Sequence, residues 1–172
     1  MDTTAKKSTL HVAAVIAAAM LALTGCASAS PAAEAEKVAA ADTVTIDDAW
    51  VKAADEGMSA GFGMLRNSGE QDVTVVSAQT EASSMVELHE TVENDAGEMV
   101  MREREGGFVI PAGGTLTLEP GANHIMLMDL AKPLKAGDEV AFTLTFSDGS
   151  TVDFTAPVKD YSGANENYDT DQ

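Results

Sequence analysis

One cysteine, Cys26, stands in the whole chain of 172 residues, so no disulfide within the chain can form and stability must come from burial alone. Long apolar runs are missing as well. The longest, Leu10 to Leu23, is broken only by His11 and falls short of the roughly 20 residues that a membrane-spanning helix needs. Positive charge is scarce: 10 Lys and Arg face 28 Asp and Glu, for a net charge of −18. A surface of that sign lacks the basic face that nucleic acid requires, which excludes nucleic acid as a partner. Helical periodicity longer than about two turns is absent, and with it any helix-bundle reading. No nucleophile lies near a base in a recognisable order, so the chain does not read as an enzyme.

The N-terminus carries Lys6 and Lys7, then the apolar run, then small residues, which is the layout of a secretory signal. It ends in Leu23-Thr24-Gly25-Cys26, which resembles the bacterial lipobox, in which the leader is cut before the Cys and the Cys is lipidated. Residues 1–25 are therefore expected to be a lipoprotein signal peptide, with Cys26 as the lipidation site. Two or three acyl chains on one Cys hold a protein to a membrane surface stably, where one chain holds it marginally. Removing residues 1–25 takes away Asp2, Lys6 and Lys7 and leaves 27 acidic against 8 basic residues, a net charge of −19. Residues 26–41 follow as lipidated Cys and flexible tether, too small-sided and polar to order themselves.

From residue 42 to 159 the texture is that of short β-branched and apolar runs set off by Gly, Asn, Asp and Pro. Period-two alternation predicts strands at Thr43–Ile46, Ala49–Ala53, Ala60–Arg66, Asp72–Gln79, Met85–Thr91, Glu98–Arg102, Thr115–Leu118, His124–Leu130, Glu139–Phe146 and Thr151–Phe154. Turns are predicted at Asn67-Ser68-Gly69, Asn94-Asp95-Ala96-Gly97, Pro111-Ala112-Gly113-Gly114, Glu119-Pro120-Gly121 and Ser147-Asp148-Gly149. Many short strands at close spacing make an all-β antiparallel sandwich or barrel. The predicted core is Trp50, Val51, Phe62, Met64, Val73, Val75, Val86, Leu88, Leu116, Leu118, Leu127, Val140, Phe142, Leu144, Phe146 and Phe154, with Trp50 as a core anchor. Each such side chain contributes about 1.5–3 kcal/mol on burial, enough for a domain of about 118 residues to fold without a disulfide. Residues 160–172 are expected to be a disordered acidic tail.

What the domain does have is a concentration of soft ligands. Between Met85 and Met128 lie His89 and His124, the two histidines outside the leader, with Met85, Met99, Met101, Met126 and Met128. On a strand, residues two apart share a face, so His124 sets an imidazole beside the thioether of Met126, and Met128 continues that face. If the chain reverses about Asp95, His89 lies opposite Met101, with Met99 on the same face as a substitute ligand; a slip of one residue would set His89 opposite Arg102 instead. Two imidazoles and two thioethers suit monovalent copper, a soft closed-shell ion. Zinc would call for Cys or carboxylate, and a blue-copper centre needs a Cys thiolate that the domain lacks. The same residues also fit a plainer role, methionine as core filler and each histidine as a hydrogen-bonded strand residue. Glu87, Glu90 and Asp129 lie close by and are assigned no ligand role.

The segments VELHE, MVMRE, GGFVIPAGGTLTLEPGANHIMLMDL and PLKAGDEVAFTLTFSDG resemble the periplasmic copper chaperones of the PCu(A)C type over about residues 43–158. The resemblance implies an antiparallel Greek-key β-sandwich, cupredoxin-like, and copper(I) held by His89, Met101, His124 and Met126, with Met99 and Met128 as possible substitutes. It implies an extracytoplasmic metallochaperone, lipid-anchored at the outer face of the bacterial cytoplasmic membrane or in the periplasm. Its copper-accepting partner would be a cytochrome c oxidase subunit or its assembly factor. Some members have Met directly after the first His, where this chain has Glu90, and others carry a Met- and His-rich C-terminal extension that this tail lacks. A copper-buffering protein without a dedicated acceptor remains the alternative, and a sandwich domain for adhesion or assembly, binding no metal, is a third reading.

Overall fold

In the computed structural model, which describes residues 38–163 and 167–168, the chain folds as a nearly all-β sandwich of eleven strands. The predicted signal peptide, Cys26 and the tether up to residue 37 lie outside the described residues. The strands are β1 Val44–Lys52, β2 Ser59–Asn67, β3 Val73–Gln79, β4 Val86–Glu93, β5 Met99–Glu103, β6 Phe108–Ile110, β7 Thr115–Leu118, β8 His124–Leu127, β9 Glu139–Phe146, β10 Thr151–Lys159 and β11 Asn167–Tyr168. They follow one another laterally as β11-β5-β4-β8-β2-β1-β10-β9-β3-β6, with β7 pairing beside β2. The ribbon does not close. It folds over at the short parallel junction of β1 with β10, where Val51 faces Val158, to give the expected Greek-key sandwich.

Alternation decides which side of each strand goes inward. In β9, EVAFTLTF sends Val140, Phe142, Leu144 and Phe146 to the interior, each 3% exposed or less. Leu88 of β4, with Ile125 and Leu127 of β8, meets them from the other layer. The layers approach closely at Gly61, where a side-chain carbon would lie 3.5 Å from the Phe142 ring. β8, inserted between β4 and β2, is buried on both faces, which its sequence HIML tolerates.

Three expectations are corrected. Trp50 and Met64 do not enter this core. A bulge in β1 shifts the register between Asp47 and Trp50, with Asp48 at φ 52°, so Trp50 pairs with Phe62 and Val51 with Gly61. Because side chains alternate with period two, the extra residue turns Trp50 to the outer face and Val51 to the core. Gly63 makes room for the bulge, since a carbon there would sit 3.1 Å from Ala49 Cα. The tether ends earlier than residue 41: Ala40–Thr43 form a single helical turn, and Ala40 is buried, its N–H donating to Asp148 at 2.8 Å. The tail is not wholly without structure, for β11 pairs in parallel with Val100 and Met101 of β5. Strand β6 was not expected. Its Phe108 and Ile110 are among the most buried side chains, but three residues after a Gly-Gly pair carry too little periodicity to be read.

Candidate metal centre

The β4–β5 hairpin turns on Asn94. Its backbone N–H bonds the Glu98 carbonyl, its side-chain oxygen accepts from the Ala96 and Glu98 N–H groups, and Gly97 takes φ 82°. The loop is three residues centred on Ala96, the hairpin geometry that places a Gly in the left-handed region. Relative to a reversal about Asp95, the register moves by two: His89 faces Glu103, and Met101 faces Thr91. An even shift keeps the face, so His89 and Met101 remain on one side of the sheet as diagonal neighbours.

The pairing that sequence spacing does not reveal lies on the other edge of β4. There His89 is directly opposite His124 of β8, and Glu87 is opposite Met126. The two imidazole rings are 5.6 Å apart between centroids, inclined at 63°. On the far side of β8, Met126 faces Ala60 of β2, whose small side chain leaves room beside the thioether. Met101, Met126, Ala60 and Phe62 form a second buried cluster on the outer face of the sheet, covered in part by Trp50 and Met128. A cavity of about 200 Å³ opens there, lined by Met58, Phe62, Met101, His124 and Met126 among others. His89 lies behind it, fully buried.

The four predicted ligands are thus brought to one face and nearly sealed from water: His89 is 0% exposed, His124 2%, Met126 4% and Met101 7%. Met99 is not brought in. It is 48% exposed and pairs with Glu93 at the hairpin tip. Met128 packs against the cluster but does not line the cavity. Among the described residues no three His, Cys, Asp or Glu side chains gather as a metal cluster, so a cation at this face would rest on thioethers as well as imidazoles.

Each ring is fixed by an acceptor. His89 Nε2 lies 2.7 Å from the Glu87 carboxylate, and His124 Nδ1 lies 2.9 Å from the Ala122 carbonyl. A carboxylate and a carbonyl only accept, so His89 Nε2 and His124 Nδ1 donate, and in the neutral form of each ring the lone pair lies on His89 Nδ1 and His124 Nε2, two buried atoms. Orientation of this kind is what metal-binding histidines usually have. From the sequence, Glu87 is expected only to lie close by, with no ligand role. Its position two residues before His89, on the same face, was the available signal. Glu90 and Asp129 do not share in this: Glu90 pairs with Arg102 and Arg104, and Asp129 accepts from Ser84. The aromatic wall was not anticipated either. Phe62 lies 6.2 Å from His124 between centroids, and Trp50 packs at 4.5 Å from Phe62, tilted by 35°, and edge-on at 5.3 Å from Tyr161.

Comparison with known proteins agrees with the fold. The putative lipoprotein Lxx21020 of Leifsonia xyli subsp. xyli is 50% identical over 163 residues, covering 95% of this chain and 98% of that protein. The solution structure of CuI-DR1885 from Deinococcus radiodurans is 31% identical, with a TM-score of 0.55 over 74% of this chain and 87% of that one. The apo PCuAC domain from PmoF1 shares the fold, with a TM-score of 0.59 at 23% identity over 69% of this chain and 95% of that domain. A family model described as "Putative lipoprotein LpqE-like" matches residues 44–158, from the first residue of β1 to the penultimate residue of β10, and the chain belongs to that family, within the PCuAC group.

Proposed function

We infer that this protein is an extracytoplasmic copper(I) chaperone that holds one ion through His89, Met101, His124 and Met126 and passes it to the copper centre of a respiratory oxidase. The observation that carries the reading is the convergence of two imidazoles, each oriented by an acceptor on its other nitrogen, with two buried thioethers on one sheet face. DR1885, whose CuI form is a structural neighbour, and the lipoprotein relative support the metal and the anchoring at Cys26 respectively.

The donor set explains how an ion is both held and released. Neutral thioethers bind a soft ion without the strong charge attraction of thiolates. The burial gradient gives exchange a direction: His89 is deepest, while Met101 is the most exposed of the four and lines the cavity. The acceptor's ligands therefore replace Met101 first and His89 last. Glu87 keeps the His89 lone pair available throughout by holding the ring proton on the opposite nitrogen.

Copper(I) titration under anaerobic conditions, with X-ray absorption to count nitrogen and sulfur neighbours, tests the ligand set. Two nitrogens and two sulfurs are expected, with affinity lost in His124→Ala and in Met126→Ala; unchanged affinity in either variant refutes it. Delivery is tested by deletion. A chaperone lowers oxidase activity under copper scarcity when deleted, whereas a buffering protein would raise sensitivity to excess copper.

A further inference from the structure

Beyond the inner donor set, the sheet places a second group of thioethers on the same face. The β2–β8 register sets Ser59 opposite Leu127, and the β4–β8 register sets Val86 opposite Leu127. Continued one residue beyond those pairs, the registers bring Met58, Met128 and Met85 to neighbouring positions at the ends of the three strands, and the Met128 N–H donates to the Met85 carbonyl at 2.9 Å. Alternation puts all three on the face that carries Ala60, Met126 and Glu87, one rung nearer the strand ends.

Their burial differs from that of the inner set. Met58 is 46% exposed and Met85 52%, while Met128 between them packs on the inner cluster. Two half-exposed methionines flanking a third that packs on the buried cluster leave thioethers within reach of solvent beside the inner set. Met58 also lines the cavity that contains Met101, His124 and Met126, so the outer group is continuous with the inner one. Neighbouring strands space the side chains about 5 Å apart at Cβ, and each methionine has three rotatable bonds with which to bring its sulfur over the middle residue.

We propose that Met58, Met85 and Met128 form a second, solvent-facing site for a soft monovalent cation, an all-thioether site through which the ion passes on its way to or from the buried donors. The passage role rests on the function proposed above; the cation site does not. Three neutral sulfurs select a soft ion over calcium, magnesium or zinc, which prefer oxygen or add nitrogen and thiolate. With no nitrogen donor and little burial, the outer site is the weaker of the two and fills second.

Silver(I) is a suitable probe because it is soft, monovalent and stable to oxidation. The full-length protein labelled with ¹³C at its methionine methyl groups would be titrated and followed by NMR, with ions per chain counted by native mass spectrometry. The first equivalent is expected to shift Met101 and Met126, and the second to shift Met58, Met85 and Met128 together. The double variant Met58→Leu with Met85→Leu, two exposed and nearly isosteric changes, should bind one ion where the native chain binds two. Methyl signals of Met58 and Met85 that stay fixed through the second equivalent, or two ions retained by the double variant, would overturn the proposal. Movement of the outer three with Met101 and Met126 unmoved would leave the outer site standing and remove the inner one.

Discussion

Replacing Glu87 by Gln changes a charge and almost no volume, and it isolates the part of the site that touches no metal. In the native chain the carboxylate lies 2.7 Å from His89 Nε2 and is 22% exposed, so the bond is short, partly shielded and charge-assisted. A Gln keeps an acceptor in one amide orientation but forms a neutral bond of roughly half the strength. In the other orientation its NH₂ donates to Nε2, which moves the ring proton to Nδ1 and removes the lone pair required for ligation. Loss of an outer partner of a metal-binding histidine typically lowers affinity about 10- to 100-fold. That corresponds to about 1.4–2.8 kcal/mol. Anaerobic competition of copper(I) between the protein and a chromophoric chelator reads the change directly. Apo stability should move little, by no more than about 1 kcal/mol, since Gln retains the packing. An affinity within twofold of the native value, in a background where His124→Ala abolishes binding, would show that Glu87 does not set the His89 tautomer.

Other outcomes follow from the same geometry. Gly107 has φ 77°, and a side-chain carbon there would lie 2.0 Å from the Val75 carbonyl oxygen, a backbone atom that cannot swing aside. Gly107→Ala should therefore destabilise the fold by at least about 2 kcal/mol in denaturant melts, and a loss below about 0.5 kcal/mol would refute the clash. Cys26→Ser should move the exported protein from the membrane fraction to the soluble fraction; persistence in the membrane fraction would argue against lipid anchoring.

Where periodicity was strong, the structure was legible from residues alone. Strands β9 and β7 fall where alternation predicted them, and Val51, Val75, Leu88, Leu127 and the β9 side chains are buried as expected. The failures have specific physical sources. The β4–β5 register moved by two because the Asn94 side chain caps a three-residue loop, and a four-residue turn signal does not say on which residue the chain reverses. Trp50 faces the other way because one residue, Asp48, accepts a positive φ and lengthens β1, a choice that a pair of aspartates does not announce. The contact of His89 with His124 joins strands far apart in sequence, so it follows from lateral strand order, which local pattern does not contain. That His124 and Met126 share a face was readable, because the two-residue spacing is a local property. Glu87 and Met58 were not, since their parts depend on which neighbours the sheet provides.

The central strands β4 and β8 spend their two faces on separate tasks. Leu88, Ile125 and Leu127 hold the layers together on one side, while His89, His124 and Met126 look the other way. Scaffold and payload are therefore insulated from each other by a single pleat. Substitutions among the outward-facing side chains can thus alter the candidate site without disturbing the interior that keeps the molecule folded.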